Sequence, residues 1–178
     1  MKAKVWDSDM ECMEPRKMRM LQKSRFLAIV RLAYEKSPFY RRKYDQAGIA
    51  PADIRSLKDI TRLPFIYKAD LRESQEKMPP YGEHCISPEN IYRTYWSTGT
   101  TGRPTFMGVS YREALYWDDV IARNLFSCGL RKGDLFHHAT QLSSFAGGYS
   151  FLVAAQLIGA NIIPAGAGNT ERHIQLIS

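Results

Sequence analysis

"YWSTGTTGRPTF", residues 95–106, sets two Ser/Thr pairs and two glycines between an aromatic run and a proline. The residues before it, "NIYRTYW", have the β-branched and aromatic content of a strand, and "TFMGVS" reads as a second strand. The quoted stretch therefore lies between two strands. A hairpin turn could contain Gly99 or Gly102, but two residues suffice for it, so the run of hydroxyls and glycines is surplus to a plain turn. The other reading is a cradle for phosphate oxygens. Glycines let backbone amides approach an anion closely. Ser97, Thr98, Thr100 and Thr101 add hydroxyls, and Arg103 adds a forked donor that suits phosphate. The Walker A pattern fails, because Gly99 and Gly102 are three apart and Pro104 follows Arg103. On composition alone, turn and cradle both stand.

Downstream, Ser110-Tyr-Arg-Glu113 is a capping box that opens a helix ending at Gly129, with Leu115, Val120, Ile121 and Leu125 expected inward. A strand near Leu135 to Ala139, a helix from about Gly148 to Ile158 and a strand at Asn161 to Pro164 follow. "GAGNTERH" then opens a further helix with Thr170 as its expected cap; it reads as a routine strand-to-helix turn or as a ligand loop beyond a strand end. Alternating strands and helices predict an α/β fold with part of a mostly parallel sheet.

Upstream, Pro15 starts a helix to about Lys36 whose apolar stripe is Met18, Leu21, Phe26, Ile29, Val30 and Ala33. Ser37-Pro38 restarts the chain as a second helix, which Gly48 stops. Short helical pieces follow around Leu57 to Thr61 and Ala69 to Glu76. Residues 1–88 thus read as a helical N-terminal lobe, and 89–178 as the start of an α/β nucleotide-binding subdomain that is cut short, so a fragment is expected.

The chain is 178 residues long, 44% hydrophobic and 24% charged, ordinary for a globular protein with a core. No apolar run approaches the ~18 residues of a membrane span, and "MKAKVWDSDMEC" lacks a secretory h-region. The cytoplasm is the expected location. The net charge of +7 resides entirely in residues 1–43, which carry 12 Lys/Arg and 5 Asp/Glu. A solvated basic helix face accounts for it, and no nucleic-acid-binding motif accompanies it. The competing reading is a non-catalytic basic binding module. Cys12, Cys85 and Cys128 are widely separated and form no C-x-x-C pair, and His137-His138 are too close for zinc spacing. No metal site is expected in the chain, and Cys128 is expected to be buried and reduced.

"STGTTGRPT" resembles the phosphate loop of the adenylate-forming superfamily. "AYEKSPFYRRKYDQAGI", "SLKDITRLPFIYKADLR", "CGLRKGD" and "GAGNTERHIQL" resemble the phenylacetate-coenzyme A ligase family in order and spacing, from about Pro15 to the end. The resemblance implies the N-terminal part of a longer enzyme that uses ATP, Mg²⁺ and coenzyme A. A carboxylate attacks the α-phosphate to give acyl-AMP and pyrophosphate, and the thiol of coenzyme A then displaces AMP. It assigns Ser97, Thr98, Gly99, Thr100, Thr101, Gly102 and Arg103 to the triphosphate. The family usually has Lys at position 103.

"HATQLSSFAGGYSF" falls where phenylacetate ligases have a stretch walling the aryl pocket. Phe145, Gly147 and Gly148 match it, and Leu142 stands at the tyrosine position. Plain core packing is an equal reading of Phe145. The resemblance implies a small carboxylic acid with an aromatic body as substrate. It puts the catalytic residues beyond Ser178, so the chain alone is expected to be inactive. An adenylating relative with a different acceptor is the near alternative. Because a parallel sheet wants cover on both faces, self-association or a sizeable exposed apolar surface is expected, and with it a homo-oligomer.

Overall fold

Glu14 and Pro15 open the first long helix. The computed structural model describes residues 5–97, 104–142 and 146–177. Residues 12–89 form one compact unit; residues 90–177, with the segment through Glu11, form the other.

In the first unit, α2 (Pro15–Lys36) follows the short α1 (Ser8–Glu11) of the other unit. The Glu14 carboxylate accepts the Arg16 and Lys17 amides at 2.9 and 3.1 Å, satisfying donors the helix start leaves free. Ser37 ends α2 and begins α3 (Pro38–Gln46): its amide donates to Ala33 while its Oγ accepts from the Tyr40 amide. That hydroxyl also donates to the Glu83 carbonyl at 3.0 Å, which explains a fully buried serine between two helices. Gly48, with φ 65°, turns the chain after α3 as expected. Val30, Tyr44, Ile49 and Ile54 form the core, with Phe26, Leu27, Tyr34, Tyr40 and Leu63 packed on it. Ile29 of the expected stripe is 55% exposed, and Leu27 takes the inward place. The 3₁₀ turns Pro51–Asp53 and Leu57–Arg62 and the helix α4 (Lys68–Lys77) complete the unit.

His84 lies edge-on to buried Phe39, with ring centroids 5.8 Å apart, and burial lowers its pKa. Its neutral form is therefore favoured in the folded state. Stability is complete above the unfolded value of about 6.5 and is lost as pH falls through the lower folded value. The urea midpoint should fall between pH 7.5 and 5.5, and His84→Gln should flatten that fall. An equal slope in both proteins would contradict it.

In the second unit, β1 (Ile91–Trp96) pairs antiparallel with β2 (Phe106–Ser110). Ile91 faces Ser110 and Arg93 faces Val109, so Tyr92 is an extra residue, a bulge just before Arg93. Ser110 then caps α5 (Tyr111–Ser127): its Oγ accepts the Glu113 amide, and Glu113 reaches back to the Ser110 amide at 2.7 Å. The predicted capping box is present. After α5 come β3 (Leu135–His137), α6 (Ala146–Ile158), β4 (Asn161–Ile163) and α7 (Thr170–Ile177). β3 and β4 pair in parallel, joined by the α6 crossover. The class is α/β, with one antiparallel and one parallel pair among the described residues. Ala122, Leu125, Phe126, Ala154, Ala155 and Ile158 form the core between α5 and α6. Trp6 seals it, donating its indole N–H to Asp119 at 2.7 Å.

Three expectations for this second unit differ from the structure. Leu115 and Val120 are 50% and 57% exposed, because the face α5 presents to α6 and β1 is Ala114, Asp118, Ala122, Leu125 and Phe126. Ala114 and Ala122 take the inward places over the first turns of that face, which leaves Leu115 and Val120 outside. Cys128 is exposed, since it is the C-cap of α5, one residue before Gly129 turns with φ 108°. Asn169, not Thr170, caps α7: its Oδ1 accepts the Arg172 amide at 3.1 Å. Asn also tolerates the φ of 51° found there.

Candidate functional site

The two strands of the hairpin close on one residue pair. The Ser97 amide donates to the Thr105 carbonyl at 3.0 Å, and the Thr105 amide returns a bond to Ser97 Oγ at 3.1 Å. Of the predicted phosphate-binding residues, Ser97 is thus placed at the mouth of the connection, half-buried. Thr98, Gly99, Thr100, Thr101, Gly102 and Arg103 lie outside the described residues. The connection from 98 to 104 exceeds the two to five residues a minimal hairpin needs.

Beneath that mouth is a polar cluster that the pattern of the sequence does not announce. Arg93 of β1 grips Asp118 of α5 with two parallel bonds of 2.8 and 2.9 Å. Their side chains are 13% and 3% exposed. The guanidinium also donates to the Tyr95 hydroxyl at 2.9 Å, and Tyr95 shares a proton with Ser150 Oγ of α6 at 2.7 Å. Tyr95, Asp118 and Ser150 are almost wholly buried. The hydrogen bond to Asp118 raises the Arg93 pKa further, so the charge is permanent. Tyr149 lies 4.9 Å from the guanidinium and offers its ring face, and Tyr95 stacks on Trp117. One signal was available: an arginine at an inward position of a strand, two residues from a tyrosine.

The first turn of α6 holds the remaining predicted residues. Gly148 is buried, and a Cβ there would lie 2.1 Å from the Gln141 carbonyl oxygen. The chain at Gln141 and Leu142 therefore passes directly over the helix start. Leu142 is 46% exposed, and Gly147 half-buried. Phe145 lies outside the described residues.

The "GNTERH" segment meets β3 through histidines: His137 and His173 share one proton between Nε2 and Nδ1 at 2.8 Å. Neighbouring His138 is buried and bonds Thr140 Oγ1 at 2.8 Å. In the helical unit, a cavity of about 260 Å³ is lined by Arg42, Lys43 and Lys77 together with Asp70, Glu73 and Glu83. Each of those cations meets a carboxylate: Arg42 with Glu83, Lys43 with Asp70 at 2.8 Å, Lys77 with Glu73 at 2.7 Å. The bond from Lys43 holds the Asp70 carboxyl below its usual range. This cavity neutralises its own charge and is a poor anion site.

No family model matches the chain. It is 35% identical to the phenylacetate-coenzyme A ligase of Thermus thermophilus over 173 residues, which is 97% of this chain and 38% of that enzyme. The Aromatoleum evansii enzyme of the same name is 38% identical over 160 residues, 90% of this chain and 36% of its own. A crystal structure of 2-hydroxyisobutyryl-CoA ligase in complex with 2-HIB-AMP and CoA superposes with TM-score 0.88 at 33% identity, covering 98% of this chain and 37% of the ligase. An open conformation of that ligase gives 0.88 at 31%, over 99% and 41%. The chain is similar to the phenylacetate-coenzyme A ligases over nearly all of its own residues and spans a little over a third of their length.

Proposed function

We propose that the chain is the part of an AMP-forming acid:coenzyme A ligase that grips the triphosphate of ATP and walls one side of the acid. Its relatives are ligases by name, and the solved neighbours hold an acyl-AMP and CoA. The carrying observation is the hairpin mouth, where Ser97 and Thr105 bond across the two ends of the hydroxyl- and glycine-rich connection. In this reading residues 97–103 hold the phosphates through amides, hydroxyls and the Arg103 guanidinium while the acid's carboxylate attacks the α-phosphate. Donors fixed in advance stabilise charge without reorganising as it develops. Coenzyme A and the groups that complete both half-reactions meet residues from the remaining two thirds of the relatives' length. Residues 12–89 act as a helical lobe, 90–178 together with the segment through Glu11 begin the nucleotide-binding subdomain, and the parallel β3–β4 pair belongs to a larger, mostly parallel sheet. Among the described residues no three His, Cys, Asp or Glu side chains gather to hold a metal. Mg²⁺ would enter as the companion of the triphosphate and share its charge. Exposed Leu115 and Val120 on α5 support burial against further chain or a second copy. We place the activity in the cytoplasm.

The test is ATP–pyrophosphate exchange in the enzyme at its relatives' full length. Thr100→Val or Thr101→Val should lower exchange by about 10²-fold, the cost of one lost oxyanion donor. Unchanged exchange would sink the assignment.

The acid we propose is aromatic, with Phe145 against its ring and Leu142 replacing a hydroxyl-bearing wall. A ring hydroxyl would be left unpaired at a cost of about 1–3 kcal/mol. Unsubstituted rings should therefore win by roughly tenfold in kcat/KM. The panel is benzoate, phenylacetate, 4-hydroxyphenylacetate, a medium-chain fatty acid and 2-hydroxyisobutyrate, the last because of the solved neighbours. Preference for the hydroxylated ring, or for 2-hydroxyisobutyrate, would overturn the aromatic pocket.

A further inference from the structure

The Arg93–Asp118 bridge has no part in gripping substrate as proposed above, yet it joins the elements that carry both candidate ligand sites. Arg93 lies four residues before Ser97 on β1, and Ser150 lies two after Gly148 on α6. Asp118 ties Arg93 to α5, and the Tyr95 hydroxyl carries the chain of bonds from Arg93 to Ser150. Apolar side chains of equal volume would fill this space as well and tolerate sliding; burying charges costs desolvation that packing would not. What the bidentate fork adds is direction, because two parallel bonds fix angle as well as distance.

Resting on the ligase reading, we infer that Arg93, Asp118, Tyr95 and Ser150 are positioning residues that hold the hairpin mouth at Ser97 and Thr105 in register with the first turn of α6. Triphosphate and acid then meet at one fixed separation. Misplacement of about 1 Å between reacting groups costs on the order of 10²-fold in rate.

The double variant Arg93→Met/Asp118→Leu removes the polar geometry and leaves an apolar contact. In the full-length enzyme its urea midpoint should recover most of what either single variant loses. Its affinities for ATP and for the acid, each measured alone, should stay within about threefold, while kcat for acyl-adenylate formation falls about 10²-fold. Recovery of both midpoint and kcat would mean the bridge only stabilises, and would overturn the inference. Should the double variant not fold, Arg93→Lys keeps the charge without the fork, and the same loss of kcat at near-parental midpoint is expected; parental kcat would overturn it.

If the parent enzyme shows no exchange with any acid, the ligase reading fails and a second measurement still decides this one. Amide hydrogen exchange at Ser97 and Thr105 in the 178-residue chain should accelerate at least tenfold in the double variant at unchanged midpoint. Unchanged protection would overturn the inference.

Discussion

Asp118→Ala is expected to lower the unfolding free energy of the chain by about 3–5 kcal/mol, the usual cost of leaving one partner of a buried ion pair alone. The Asp118 side chain is 3% exposed and Arg93 13%, so water cannot replace the lost carboxylate without opening the contact between β1, α5 and α6. Arg93 cannot escape by losing its proton, because guanidinium stays charged in proteins. The Tyr95 hydroxyl and the faces of the Tyr92 and Tyr149 rings remain near it, and none of them carries the negative charge that is lost. Asp70→Ala is the comparison, since its partner Lys43 is 27% exposed and water can take over. Its effect should be markedly smaller. Urea unfolding of both variants checks this, and equal losses would show that burial of the Arg93 pair carries no special weight.

What the sequence made legible was mostly local. Pro15, Ser37-Pro38, Gly48, the Ser110–Glu113 box and Gly129 act within four residues of themselves, and each element they bound is present. The strands either side of the glycine-rich connection were readable for the same reason, since "IYRTYW" and "FMGVS" suit a pleated surface by composition. Pairing was not readable in that way: β1 and β2 lie antiparallel as a hairpin, whereas β3 and β4 pair in parallel through a helix. The inward face of α5 is not legible in this way, because hydrophobicity alone ranks Leu115 and Val120 above Ala114 and Ala122. The inward place of Ala122 depends on a partner helix 32 residues downstream at Ala154. Asp118 was invisible for a related reason. A carboxylate on a helix reads as solvated until a buried arginine is found opposite it, and the bulge at Tyr92 that precedes Arg93 has no signature in the residues. Gly148 stands out in the sequence only by resemblance, and its physical reason appears only in three dimensions.

That reason leads to the second large effect. Gly148→Ala should destabilise the chain by about 1–3 kcal/mol, the cost of forcing extra atoms into a packed site. Helix propensity argues the other way: in an unobstructed helix, alanine is better than glycine by roughly 0.5–1 kcal/mol. Space decides the sign. The added Cβ would lie 2.1 Å from the Gln141 carbonyl oxygen, 3.2 Å from its carbon and 3.6 Å from Leu142 Cα. All three are backbone atoms, which cannot rotate aside as the end of a side chain can. Either α6 shifts away from the segment or the segment lifts from α6. Gln156→Ala, at an exposed position of the same helix, should stay within about 0.5 kcal/mol of the parent. In the full-length enzyme the displaced segment carries Leu142, so KM for the acid should rise while KM for ATP changes little. A Gly148→Ala protein as stable as the parent would show that the segment yields freely, and a selective rise in KM for ATP would show that this glycine serves the nucleotide and not the acid.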